Sequence, residues 1–111
     1  MLDGLAAKLD HLLVRRLHRG MRKRLLTPFG AINIFDTGGA GACVVMTPDG
    51  PNLIEHYEAI IARLSPEFRV VLFDMPGFGH STPAASYQHR LDQGAALIHA
   101  VLERLELQQV T

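Results

Sequence analysis

The sequence predicts an α/β domain, and three observations carry that expectation. Two mainly apolar runs, residues 42–46 and 68–74, have the composition of strands covered on both faces. Between them, residues 52–64 repeat apolar side chains with a helical period. A strand, a helix and a strand in that order form a β-α-β unit, with parallel strands and a right-handed crossover.

The first element is an amphipathic helix over residues 2–19. Leu2, Leu5, Leu9, Leu12, Leu13 and Leu17 share one face, while Lys8, His11, Arg15, His18 and Arg19 flank or oppose it. Arg16 enters the leucine stripe and extends its charged tip to water. Such a helix packs its leucines on its own domain or on a second chain; attachment to an anionic membrane surface is the alternative. Charges interrupt every apolar stretch here, which excludes a secretory signal.

A hairpin follows. Residues 24–27 are a short extended candidate, Pro28-Phe29-Gly30 has turn chemistry, and residues 31–36 alternate with period two. Ile32 and Ile34 fall on one face, Asn33 and Phe35 on the other. Thr37-Gly38-Gly39-Ala40-Gly41 breaks the chain before the apolar run 42–46, in which Cys43 packs as a small hydrophobe.

The helix 52–64 carries Leu53, Ile54, Tyr57, Ile60, Ile61 and Leu64 as one buried stripe, with Asn52 as N-cap and Glu55 completing a capping box. Ser65-Pro66 ends it. After the strand 69–74 comes a Gly/Pro loop over residues 75–83, and then a second helix over 87–105. Its expected buried face is Leu91, Ile98, Leu102 and Leu105, with Gly94 and Ala95 small enough for close approach to a sheet.

Composition bounds what such a domain does. The 111 residues are 48% hydrophobic with zero formal net charge, which excludes a disordered polyelectrolyte and a general nucleic-acid binder. Neutrality is an average: residues 1–24 carry +5 and the remainder −5. A single cysteine forms no intramolecular disulfide, so a reducing compartment such as the cytoplasm is expected. No apolar run approaches the ~18 residues that span a bilayer. The chain divides into a basic N-terminal helix, 1–23, and an α/β portion, 24–111.

The residues offer three chemistries. His80 beside Ser81 offers a nucleophile and a base, but adjacent loop residues usually point apart, and a turn serine is the plainer reading. His56 and His89 read as surface positions, no metal-ligand spacing is present, and no cofactor is expected. Gly77-Phe78-Gly79 follows a strand as a dinucleotide loop would, but Thr82 stands where the third glycine belongs and Pro83 delays the helix. The turn Thr47-Pro48-Asp49-Gly50-Pro51-Asn52 leaves the C-terminal end of a parallel strand, a favoured ligand position. Gly50 is its free amide donor, since Pro51 has none; a plain strand-to-helix connection accounts for the residues equally well.

Asp74-Met75-Pro76-Gly77-Phe78-Gly79-His80-Ser81 resembles the D-x-P-G-x-G-x-S loop after the fourth strand of α/β-hydrolase fold proteins. The likeness covers roughly residues 24–111 and is similar to members of the proline iminopeptidase and esterase type. It implies a partial α/β-hydrolase sheet in which strand 31–36 lies beside 69–74 and 69–74 beside 42–46. It implies that the Gly50 amide donates to an oxyanion, with Asp49, Pro51 and Asn52 near substrate. Asp49 stands where the family's oxyanion loop has glycine, an unfavourable charge beside an oxyanion unless it points away.

In the family a fifth strand then delivers a serine-type nucleophile on a G-x-S-x-G turn, with acid and base later. The expectation is therefore a truncated α/β-hydrolase that lacks the triad, a longer parent acting on a small-molecule ester, amide or related bond. The sheet edge left open by the absent strand invites self-association. Two other readings remain: a non-catalytic interaction or oligomerisation module, using that edge or the leucine helix, and a small nucleotide-binding α/β domain.

Overall fold

A computed structural model describes residues 22–48 and 52–111. The helix expected over 2–19 and the turn residues Asp49, Gly50 and Pro51 lie outside the described residues. Strands β1 (Arg22–Thr27), β2 (Gly30–Asp36) and β3 (Cys43–Met46) come first. A 3-10 turn (Ile54–Tyr57) runs into α1 (Glu58–Leu64), followed by β4 (Arg69–Phe73), the short β5 (Thr82–Pro83) and α2 (Leu91–Arg104). The sheet order is β1-β2-β4-β3, with β5 also on β2.

The hairpin forms as its turn residues dictate, although β1 starts at Arg22, two residues before the extended segment expected from the sequence. β2 pairs antiparallel with β1 and β4, while β3 pairs parallel with β4, Val44 opposite Val70 and Met46 opposite Leu72. The β-α-β unit and the neighbours expected for strands 31–36, 42–46 and 69–74 are therefore present. The far edge of β3 is also engaged: Cys43 bridges Val110 in parallel. Thr111 donates its N–H to the Cys43 carbonyl at 3.0 Å and accepts from the Val45 N–H at 2.8 Å.

Strand alternation sorts the core into two layers. Ile32, Ile34, Cys43, Val71 and Phe73 pack with Leu97 and Val101 of α2 on one side. Phe35, Val70 and Leu72 pack with Ile54 and Ile61 on the other. One helix thus covers each face, as a sheet with two apolar faces requires. Among the described residues no helix is long and apolar enough to cross a membrane.

Both helices depart from their sequence expectations. The first begins at Ile54 with Leu53 in the N-cap position, one residue later than Asn52. His56 then becomes the third helical residue, and its Nδ1 accepts the Leu53 N–H at 3.0 Å, the bond expected of Glu55. Glu55 instead pairs with Arg22 across to the hairpin, and Ile60 of the expected stripe is exposed.

The second helix begins at Leu91 rather than at 87, because His89 has φ +58°, incompatible with a right-handed helix. Tyr87 is buried instead, its ring meeting those of Phe29 and His89 at 6.1 and 4.7 Å. Leu91, expected on the buried face, is 94% exposed; Leu97 and Val101 are the fully buried pair. A Cβ on Gly94 would meet nothing within 4 Å, so this glycine does not serve a close approach to the sheet.

Candidate functional site

Parallel β3 and β4 end at the same edge of the sheet, where residues 47–48 follow β3 and residues 74–81 follow β4. Pro48 is buried and Asn52 half-buried, on either side of the residues 49–51 that lie outside the described ones. The second loop leaves β4, bulges out, and rejoins β2 as β5, with Ala31 opposite Thr82.

Asp74 organises this edge. Its side chain is fully buried and accepts from neutral donors. Asn33 Nδ2 donates to Oδ2 at 2.9 Å and the His80 N–H to the same oxygen at 3.2 Å. The Ile54 N–H donates to Oδ1 at 3.0 Å. A buried carboxylate is tolerable only with such a donor set, and the first helical amide gains the acceptor that it lacks within its own helix. Tertiary structure, rather than a local Asn52 cap, therefore starts the helix.

Glycine is required beside this carboxylate. Gly79 has φ +53°, and a Cβ there would collide with Asp74 Oδ2 and lie 2.6 Å from Cγ. The spacing of aspartate and second glycine in the D-x-P-G-x-G-x-S loop is thus a packing constraint. It also removes the dinucleotide option: the carboxylate lies beneath Gly79, and α2 begins only at Leu91.

Ser81 has a structural task as well. Its Oγ donates to the Asp74 carbonyl at 2.6 Å and accepts the Asn33 N–H at 2.9 Å. The Asp74 N–H donates to the Asn33 carbonyl at 3.1 Å. The hydroxyl therefore bridges the gap between β4 and β5, standing in for a strand carbonyl. The His80 backbone meets the same loop, while its carbonyl accepts from Arg24 Nη1 at 3.1 Å. Nothing in this arrangement makes His80 the base for Ser81.

The charged cluster lies at the other end of the sheet. Arg69 grips Asp36 with two bonds, Nε to Oδ1 at 3.0 Å and Nη2 to Oδ2 at 2.7 Å. The Gly38 N–H and Lys23 Nζ add bonds at 2.8 and 3.3 Å. Burial pushes the Asp36 carboxyl up, but Arg69, Gly38 and Lys23 together outweigh it and hold the pKa at about 2. Cys43 sits nearby in the core; burial pushes its thiol up, against the pull of Arg69. That favours the packing role over a nucleophilic one. Among the described residues no three His, Cys, Asp or Glu side chains gather as metal ligands.

Sequence reasoning missed Asn33 and Asp74 as partners. The available signal was a buried asparagine inside an otherwise apolar strand, which demands a partner wherever it lies in the chain.

Residues 38–111 match a family model described as alpha/beta hydrolase fold. A zearalenone hydrolase from Bionectria ochroleuca is 30% identical over 94 residues, covering 81% of this chain and 36% of that protein. An N-acyl homoserine lactonase structure superposes with a TM-score of 0.75 at 22% identity, over 81% of this chain and 34% of that one. A haloalkane dehalogenase from Agrobacterium tumefaciens C58 gives 0.70 at 21%, over 80% and 30%. At these identities the two structures speak to the fold. The chain spans little more than a third of the length of the curated relative that it matches.

Proposed function

The chain belongs to the alpha/beta hydrolase fold family, and from that premise we propose that it is the N-terminal portion of a longer hydrolase acting on a small-molecule ester, amide or related bond through a serine-type intermediate. The observation that carries this reading is the pairing of Val110 and Thr111 along the outer edge of β3, in parallel. In the family the strand in that position leads to the nucleophile turn. Coverage of 36% of the zearalenone hydrolase supports the same reading.

The residues present supply one wall of a site. The Gly50 amide is the oxyanion donor in this reading, with Asp49, Pro51 and Asn52 beside the substrate. The donor acts by stabilising charge that develops only in the transition state.

The test begins with the coding sequence after Thr111 and a nitrophenyl ester assay. The reading expects an in-frame strand with G-x-S-x-G, serine-dependent turnover by the longer chain, and none by the 111 residues alone. In the longer chain Gly50→Pro, which removes the N–H, lowers kcat by about 10²–10³-fold. Nucleophile-dependent turnover by the 111-residue chain overturns the reading, as does a downstream sequence without the strand and serine turn.

A further inference from the structure

Between β5 and α2 the chain lies outside the core, held by one buried side chain. From Ala85 to Asp92 every residue is exposed except Tyr87. The Tyr87 ring meets those of Phe29 and His89, with centroids 6.1 and 4.7 Å away, and Phe29 packs on the core layer of Ile32 and Ile34. Gln93 of α2 holds the same segment from the helix side. Its Oε1 accepts the Gln88 N–H at 2.7 Å, and its Nε2 donates to the Ser86 carbonyl at 3.0 Å. Among the described residues no backbone hydrogen bond joins residues 85–89 to the sheet; the Tyr87 N–H turns back to the Ala84 carbonyl at 3.0 Å.

Both ends are fixed. The Ala84 N–H donates to the Phe29 carbonyl at 2.8 Å, and the Arg90 carbonyl accepts from the Gly94 N–H of α2 at 2.9 Å. Between them His89 has φ +58°, uncommon outside glycine. Its ring meets that of Phe78 at 6.3 Å and lies over Gly77, where a Cβ would be 3.5 Å from Cε1. Gly77 and Phe78 belong to the loop 74–81, at the C-terminal edge of the parallel strands. The segment thus covers part of that loop in a strained conformation and with few buried contacts, the properties of an element that opens locally.

We propose that residues 84–90 form a strap over the loop 74–81 that opens as a unit while the sheet stays folded, with Tyr87 as its latch and Gln93 as its clasp. Opening withdraws Tyr87 from Phe29, relaxes His89 and uncovers Gly77 and Phe78, so the strap sets how much of this edge a ligand reaches. Neither the Gly50 assignment nor a downstream nucleophile enters, so the strap and the hydrolytic reading stand or fall separately.

Native-state amide exchange on the 111-residue chain, at rising urea, tests it. The Tyr87 and Gln88 amides are expected to share one opening of small urea dependence, since a single released turn protects no amide. The sheet amides of Arg69 and Val70, bonded to the Ala42 carbonyl and Thr37 Oγ1, exchange through a rarer opening. Gln93→Ala deletes both clasp bonds at a helical position that suits alanine, and should speed exchange at Tyr87, whose own bond it leaves intact, by about tenfold. Tyr87→Leu should in turn speed Gln88, with Arg69 and Val70 unchanged. Should Tyr87→Leu fail to fold, Gln93→Ala carries the test from the helix surface. His89→Asn tolerates the positive φ but removes the ring, and should move the Gly77 resonance.

Three results overturn the proposal. Tyr87 and Val70 amides that exchange through the same opening place the segment within the global fold. A Gln93→Ala effect confined to Gln88 makes its bonds local ones. A Gly77 resonance unmoved in His89→Asn removes the cover over the loop.

Discussion

Gly79→Ala should be among the most damaging single-methyl additions in this chain, and Gly38→Ala shows why. Both glycines have positive φ, +53° and +68°. Placing alanine in that region costs roughly 1–2 kcal/mol at either site. At Gly38 the cost ends there, because a Cβ would meet nothing within 4 Å. At Gly79 the methyl would take space held by Asp74 Oδ2, the oxygen that accepts from Asn33 and His80. Displacing it weakens two hydrogen bonds to a buried carboxylate, at about 1.5–3 kcal/mol each.

Loss of both bonds would separate the two variants by about 3 kcal/mol or more, a large share of the 5–15 kcal/mol typical of a whole domain. Urea denaturation followed by circular dichroism measures it. A double-mutant cycle then isolates the collision: with Asp74 truncated to alanine, G79A should add only the backbone cost of about 1–2 kcal/mol. Equal losses for G79A and G38A, or strict additivity of G79A with D74A, would refute the steric argument.

Asp36 predicts an acid transition. Its folded pKa of about 2 lies below the unfolded value of about 3.9, so its contribution is complete above the unfolded pKa and is lost as pH falls towards 2. The contribution is about 2 kcal/mol, and D36N should flatten the difference between urea midpoints at pH 5 and pH 2.5. Gly94→Ala should stabilise the chain by about 0.5–1 kcal/mol, read as a raised Tm, since α2 gains helix propensity and the added methyl meets nothing. Ser81→Ala should cost about 1–3 kcal/mol in urea, because the buried Asn33 N–H loses its acceptor, while Ser81→Thr keeps the hydroxyl and should recover part of that loss.

The parts of the fold visible in the sequence were those written in local pattern. The hairpin followed from Pro28-Phe29-Gly30 between extended runs, and the β-α-β unit from two apolar strands around a periodic segment. Strand neighbours followed from the D-x-P-G-x-G-x-S resemblance, not from periodicity. Helix starts depart from the sequence pattern where tertiary contacts override local chemistry. Asn52 and Glu55 satisfy a capping rule in sequence, but the buried Asp74, twenty residues beyond Ile54, sets the first turn one residue later. Of the expected stripe, Ile98 and Leu105 pack against the core beside the fully buried Leu97 and Val101, Leu102 is half-buried, and Leu91 is exposed. Periodicity alone finds an apolar face but does not fix which edge of it meets the sheet.

The pairing of β3 with Val110 and Thr111 also sets a timetable. During synthesis Cys43 and Val45 emerge long before the residues that bond to their outer side. The hairpin can close at once, and β4 reaches β3 after one helix, whereas the second neighbour of β3 arrives only with residues 110–111. For that interval the strand presents open N–H and C=O groups to any other nascent chain. Slowing translation after residues 43–46 have left the ribosome and before residues 110–111 leave it should therefore lower soluble yield.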